Sequence, residues 1–134
     1  MEKAGDVDIF VNNSGVPIGD FKNWDREDWI RAINENMLTS IEMIKAVIDS
    51  MVSKKFGQIV NITSGSLKSP IPELGLSNGA RSGLTGFVAG VAREYALYKV
   101  IINNLLPGQF NTERLEALIE KGAKKPLKTC RRKR

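Results

Sequence analysis

The sequence predicts an α/β fold in which parallel strands form a single sheet. Three short apolar runs, rich in β-branched residues, alternate along the chain with two long segments of helical periodicity. Strands that are separated by helices pair in parallel through right-handed crossovers, because such a connection returns the chain to the same end of the sheet. The 134 residues, of which 42% are hydrophobic, suffice for one compact domain with a buried core.

The strands are predicted at residues 7–12, 59–63 and 100–106. Each run is followed by residues that favour turns or loops. These residues are Asn13-Ser14-Gly15 after the first run, a polar loop with Pro70 and Pro72 after the second, and Pro107-Gly108 after the third. Loops at the carboxyl ends of parallel strands are where α/β sheets bind their ligands, so these loops are the candidate site.

The first long helix is predicted to begin after Asp25, which can cap it together with Asp28, and to end at Gly57. Its apolar residues recur at steps of three and four over six turns: Ile30, Ile33, Met37, Ile41, Ile44, Ile48 and Met51. A second helix is marked by a similar series: Leu84, Phe87, Val88, Val91, Tyr95 and Tyr98. A short third helix is predicted over residues 112–120, which gives the order β-α-β-α-β-α.

The net charge of +5 is concentrated at the end of the chain. Residues 121–134 hold eight Lys or Arg and no acidic side chain, whereas residues 1–120 hold twelve basic and fifteen acidic side chains. Like charges and low hydrophobicity predict a solvated, disordered tail over residues 121–134 and a folded domain over residues 1–120. A nucleic-acid or nuclear-targeting role for the tail is the alternative, and we favour the solvated tail.

Residue usage excludes several kinds of chemistry. The sequence has no His, which removes Ser-His-Asp catalysis and nearly every zinc site, so no metal centre is expected. Cys130 is the one cysteine and cannot form an internal disulfide. No apolar run approaches the length of a membrane span, and the residues after Met1 lack the pattern of a secretion signal. We therefore expect a cytoplasmic protein that does not engage a membrane.

Four motifs, at the predicted strand ends and in the first helix, resemble those of the short-chain dehydrogenase/reductase family. Asn12-Asn13-Ser14-Gly15 is similar to the family's Asn-Asn-Ala-Gly turn, and Asn36 stands where the family places a structural and catalytic Asn. Residues 57–64 resemble the strand that ends in the catalytic Ser, and residues 104–112 resemble the Pro-Gly turn and Thr that border the nicotinamide. Singly, each motif could be a turn or a cap, but their order and spacing together indicate the family.

The resemblance implies a partial Rossmann-like fold, a doubly wound parallel sheet of which this chain holds the central and C-terminal strands. Met1 stands just before what corresponds to the family's fourth strand, so we expect a chain truncated at its N-terminus and also at its C-terminus. The first strand of the chain would then present an open, apolar edge.

The resemblance also implies an NAD or NADP cofactor and a small-molecule substrate with a hydroxyl or carbonyl group. The residues that it places along the cofactor are Asn12, Asn13, Ser14, Gly15, Arg81, Pro107, Gly108 and Thr112. The sequence lacks the Gly-rich turn that holds the pyrophosphate in such a fold and the residue that reads the ribose. The chain is therefore expected to form one wall of the nucleotide crevice.

The catalytic residues that the resemblance implies are Asn36, Ser64, Ser77 and Arg81. Ser77 stands at the position of the family's proton-donating Tyr, and Arg81 at that of the Lys which lowers the pKa of the Tyr. An aliphatic hydroxyl is a far weaker acid than a phenol, and a guanidinium keeps its charge but cannot relay a proton. We therefore expect the isolated chain to be inactive in hydride transfer.

The alternative is a non-catalytic homologue that uses the same fold for binding or assembly. The resemblance implies that the two long helices could form the contact of a homo-oligomer. Gly86 and Gly90 in the second helix predict that another backbone approaches closely, either the sheet or a second subunit.

Overall fold

The computed structural model describes residues 6–15 and 17–108, and within them three strands form one parallel sheet. The strands are β1 (Ile9–Asn13), β2 (Gly57–Ile62) and β3 (Val100–Leu105), paired in the order β1-β2-β3. The predicted α/β class with parallel strands is confirmed. The helix predicted over residues 112–120 and the basic tail lie outside the described residues.

The connection from β1 to β2 is one long helical segment that contains a wider turn. It consists of α1 (Arg26–Ile33), a π-helical turn (Asn34–Leu38) and α2 (Thr39–Lys54). The predicted cap is present, because the Asp25 carboxylate accepts a hydrogen bond from the Asp28 amide at 2.9 Å and the Asp28 carboxylate accepts one from the Asp25 amide. The apolar periodicity did not predict the π-helical turn, which contains the buried Asn36.

Lys54 lies in the last turn of this helix as predicted, but Gly57 does not supply the stop. The chain leaves α2 at Lys55, whose backbone adopts the left-handed conformation with a φ of 53°. Gly57 is instead the first residue of β2, where a side chain would collide with Met51. Lys54 joins this end of the helix to the segment before β1, since its ammonium contacts the carboxylates of Asp6 at 2.7 Å and Asp8 at 2.6 Å.

The second long helix, α3 (Gly75–Tyr95), begins well before its first predicted apolar position, Leu84. Its first turns carry few apolar residues because glycines at four-residue intervals let large side chains of the first helical segment and of the loop before it pack on its backbone. The contacts are Gly75 with Trp24, Gly79 with Trp29 and Gly83 with Met37. Tyr98 lies beyond the helix, in a 3-10 turn that ends where Lys99 adopts the left-handed conformation.

Both α2 and α3 pack on the same face of the sheet, and the core lies between these helices and the sheet. Its buried residues are Ile44, Val47, Ile48, Met51, Ile59, Leu84, Val88, Val100 and Ile102. On the opposite face, in the part of the chain that the structure describes, Ile9, Val11, Ile101 and Leu105 are each more than half exposed. Among these residues β1 pairs with β2 alone, so its other edge is open as predicted.

Gly86 and Gly90 do not mediate packing of α3 on the sheet. Both residues are exposed, and a β-carbon at either would have no atom within 4 Å in the described structure. The glycines that make close contacts are those of the first turns of α3, which hold Ser77 and Arg81 in fixed positions relative to α1.

Candidate active site

The parallel topology brings the carboxyl ends of the three strands to one edge of the sheet, where the candidate site lies. Loops after β1 and β2, the π-helical turn and the first turns of α3 all meet at this edge. Hydrogen bonds join three of the predicted residues, Ser14, Asn36 and Arg81. Ser64 follows Thr63, whose carbonyl Arg81 binds, and Ser77 precedes Arg81 by one turn of α3.

Arg81 is the centre of this cluster. Its side chain is buried, with the residue 9% exposed, and each of its three nitrogens donates to a protein acceptor. Nη1 donates to the main-chain carbonyl of Thr63, Nη2 donates to that of Ser14, and Nε donates to Asn36 Oδ1 at 3.4 Å. The guanidinium therefore spans the ends of β1 and β2 and the π-helical turn.

Asn36 is also buried and bonded on both sides of its amide. Its Oδ1 accepts from Ser14 Oγ at 3.3 Å as well as from Arg81, and its Nδ2 donates to the carbonyl of Ala32 at 3.4 Å. The sequence placed a polar side chain beside the apolar stripe of the helix, where it must find partners to offset the cost of burial. The structure supplies these partners.

Ser64 acts as the cap of a 3-10 turn at the end of β2. Its Oγ accepts from the amide of Ser66 at 3.1 Å and lies 2.7 Å from Ser66 Oγ. The residue is half-buried, and it lies just after the end of β2. Its interpretation as a capping residue, which the sequence left open beside the catalytic one, thus describes what the hydroxyl does here.

A family model described as short chain dehydrogenase matches residues 1–123. The chain belongs to this family. It is 33% identical over 118 residues to the acetoacetyl-CoA reductase of Cupriavidus necator, and the match covers 87% of this chain and 48% of the reductase. The chain therefore spans about half the length of this curated relative.

Solved structures of short chain dehydrogenases share the fold. An acetoin dehydrogenase from Enterobacter cloacae superposes with a TM-score of 0.75 at 26% identity, over 84% of this chain and 46% of that one. An NAD+-bound xylitol dehydrogenase superposes with a TM-score of 0.79 at 23% identity, over 90% of this chain and 47% of that one. The partial Rossmann-like sheet that the sequence predicted is thereby confirmed.

Ser77 and Arg81 lie one turn apart in α3, as expected for the family's Tyr and Lys positions. Ser77 is 5% exposed. Tyr95, at the far end of the same helix, is separated from Ser77 by about 27 Å at the standard helical rise. Neither Tyr95 nor Tyr98 can therefore supply a phenol at this edge of the short chain dehydrogenase fold.

Asn12 does not face the loops but pairs across the sheet. Its Nδ2 donates to Asn61 Oδ1 at 3.3 Å, and Asn61 Nδ2 donates to Asn104 Oδ1 at 3.1 Å, which forms an amide ladder over three strands. Asn61 and Asn104 were not among the residues predicted for the site. One signal could have found them. The inward-facing positions of β2 and β3 are apolar until the ends of the strands, where Asn61 and Asn104 are polar.

The other residues predicted along the cofactor do not form one cluster among the described residues. Asn13 and Gly15 are exposed, while the Pro107 carbonyl accepts from the Gly65 amide at 2.8 Å and joins the loops after β2 and β3. A β-carbon at Gly65 would lie 2.9 Å from that carbonyl, so glycine is required for this approach. Thr112 lies outside the described residues.

The described residues contain no pyrophosphate cradle of the Rossmann type. After β1 the chain does not pass through a Gly-rich turn into a helix, since α1 begins at Arg26 with the Asp28 amide of its first turn bonded by the Asp25 carboxylate. A carboxylate at that end opposes a bound pyrophosphate.

In the segments 6–15 and 17–108 no group of three His, Cys, Asp or Glu could hold a metal ion. In the same segments no helix could cross a membrane.

Proposed function

We propose that this chain provides the reaction-site side of an NAD(P)-dependent short chain dehydrogenase, which acts on the hydroxyl or carbonyl group of a small molecule in the cytoplasm. We further propose that the isolated chain does not catalyse the hydride transfer. The observation that carries the proposal is the hydrogen bond between Asn36 and Arg81 at the carboxyl edge of a parallel sheet in a member of this family, with Ser64 directly after Thr63, whose carbonyl Arg81 binds.

In this proposal the reaction site is lined by Asn36, Ser64, Ser77 and Arg81. The residues proposed along the cofactor are Asn12, Asn13, Ser14, Gly15, Arg81, Pro107, Gly108 and Thr112, of which Thr112 is proposed from the family resemblance alone. NAD or NADP supplies the hydride when bound, and the reductase named among the relatives supports a carbonyl substrate. Asn12 is assigned to the cofactor side by the family resemblance alone, because its amide pairs across the sheet with Asn61.

The Ser77 hydroxyl is a poor proton donor for the proposed reaction. A reduced carbonyl must receive a proton, and a group with a pKa far above neutrality transfers one poorly. Arg81 cannot correct this defect, because a guanidinium does not lose its proton in the working range and is already bonded to Ser14 and Thr63. These two residues, Ser77 and Arg81, support the proposed inactivity of the isolated chain.

The first test is a fluorescence titration of the 134-residue chain with NADH and with NADPH. We expect no saturable binding and no oxidation of either nucleotide with acetoacetyl-CoA present, whereas the Cupriavidus necator reductase serves as the positive control. Micromolar affinity or measurable turnover would contradict the proposed inactivity.

A hybrid protein tests the proposed reaction site itself. The part of the Cupriavidus necator reductase outside the matched region is joined to residues 6–123 of this chain, with and without the substitutions Ser77→Tyr and Arg81→Lys. We expect both hybrids to bind nucleotide and the substituted hybrid alone to reduce acetoacetyl-CoA. If both bind nucleotide and neither reduces the substrate, the assignment of these positions is wrong.

A second candidate is a non-catalytic homologue that serves assembly, and a separate observation favours it. Ile30, Ile33 and Leu38 form an exposed apolar stripe along the first helical segment. Such a stripe suits a contact with a second copy of the chain. We expect Ile33→Asp to lower the dimer fraction in sedimentation equilibrium, with Leu97→Asp as the control, because Leu97 is the most exposed apolar side chain away from the stripe.

A further inference from the structure

We infer that Arg81 is a latch that ties the exits of β1 and β2 to α3, so that this edge of the sheet is held without a bound nucleotide. The inference concerns the folded chain itself and goes beyond the proposed function. It gives the guanidinium a role different from that of the Lys which the family has at this position.

The two main-chain acceptors lie immediately after the strands stop pairing. The last paired residues of β1 and β2 are Asn13 and Ile62, and the carbonyls that Arg81 binds belong to the next residues, Ser14 and Thr63. Arg81 thus continues the connection between neighbouring strands at the point where the ladder of backbone hydrogen bonds ends. Carbonyls buried at such a place need a donor from elsewhere in the molecule.

The same guanidinium fixes the π-helical turn. Its Nε donates to Asn36 Oδ1, and that oxygen also accepts from Ser14 Oγ at 3.3 Å. Four elements therefore meet at one planar group, namely the exits of β1 and β2, the π-helical turn and α3. A planar guanidinium donates from three nitrogens and can bond acceptors in three directions. A Lys ammonium has a single nitrogen, at the end of a different side chain.

Burial makes this arrangement costly to disturb. A cation that is 9% exposed loses most of its hydration, and the carbonyl dipoles and the Asn36 amide replace the lost water. Shortening or neutralising the side chain leaves buried carbonyls without a donor, which loosens the two loops that they belong to.

Hydrogen exchange of wild-type, Arg81→Lys and Arg93→Lys chains, without nucleotide, tests the latch. The reporters are the amides of Thr63 and Gly65, which donate to the carbonyls of Leu105 and Pro107 at 2.8 Å. We expect Arg81→Lys to raise their exchange rates about 10-fold or more and to lower the Tm by about 5 °C. Arg93→Lys, an exposed position in the same helix, leaves both quantities unchanged.

A second measurement needs no substitution and applies even if the Arg81→Lys chain does not fold. In 15N NMR spectra of the wild-type chain, the two Nη groups of Arg81 should give separate, slowly averaging signals, whereas those of Arg93 average. Averaged Arg81 signals would overturn the latch. Unchanged exchange of Thr63 and Gly65 in a folded Arg81→Lys chain would overturn it too. Because all readings are taken without nucleotide, a failed titration under the proposed function does not affect them.

Discussion

The Trp24 indole packs directly on the backbone of Gly75, the first residue of α3, and a β-carbon there would lie 2.6 Å from Cζ3 of the ring. A second part of the same indole is equally close to Gly19, since a β-carbon there would lie 2.6 Å from Nε1 of the ring. Trp24 also meets Trp29 edge to face, with the ring centroids 6.0 Å apart. The indole thus has little room to move when either glycine is enlarged.

We predict that Gly75→Ala destabilises the chain by about 2 kcal/mol, because the added methyl group overpacks a contact that cannot relax. Gly86→Ala is the matched control, since Gly86 lies in the same helix with nothing within 4 Å of an added β-carbon. It should be neutral or stabilise the chain by up to about 1 kcal/mol through helix propensity. Urea denaturation monitored by circular dichroism measures both, and equal midpoints for the two variants would refute the prediction.

The amide ladder predicts a loss of stability when its central member is removed. Asn61 is 1% exposed and bonds to Asn12 and Asn104, so Asn61→Ala leaves two partly buried amide groups without a partner. We expect a loss of about 2 kcal/mol in the free energy of unfolding. Asn103→Ala, on the exposed side of β3, is the control and should change little. A loss of the same size in both variants would show that the ladder contributes nothing specific.

The contact between Lys54 and Asp6 predicts a specific dependence on pH. The hydrogen bond from the Lys54 ammonium lowers the pKa of the Asp6 carboxyl below its ordinary value, with a smaller contribution from Ser50. A carboxyl whose pKa is lowered by folding stabilises the folded state above its unfolded pKa, and this contribution is lost as the pH falls through the folded pKa.

Wild-type protein should therefore lose more Tm than the Asp6→Asn variant between about pH 4 and pH 2. The Lys54 pKa is raised, chiefly by the hydrogen bond to Asp6, so its contribution is present at neutral pH and is lost only in strong alkali. Asp49→Asn, an exposed carboxylate of α2, is the control for the change in net charge. Identical acid profiles of the wild-type and Asp6→Asn chains would contradict the assigned role of Asp6.

The basic tail predicted over residues 121–134 lies outside the described residues, and its solvated character stays a prediction. If it is correct, a chain ending at residue 120 has the same Tm as the full chain, because no packed side chain is removed. Differential scanning calorimetry measures this directly. A drop of several degrees in Tm would place part of the tail within the folded domain.

Much of the fold and part of the site could be predicted from the sequence. Periodicity located the three strands and the first helix, and the Asp25 cap was recognised because its partner stands at a fixed spacing. The start of α3 at Gly75 was missed because glycines replace the apolar residues on which periodicity depends. The end of α2 was misplaced because a left-handed Lys55 took the role usually held by a glycine.

The sequence by itself determined the order of elements, the family and the residue types at the strand ends, since these depend on local pattern and spacing. Only the tertiary structure decided what those residues bind. Arg81 binds the carbonyls of Ser14 and Thr63, and no sequence pattern marks such acceptors, because every residue carries a carbonyl and its partner depends on which strands meet. A position that the family resemblance assigned to the cofactor thus holds the carboxyl edge of the sheet together.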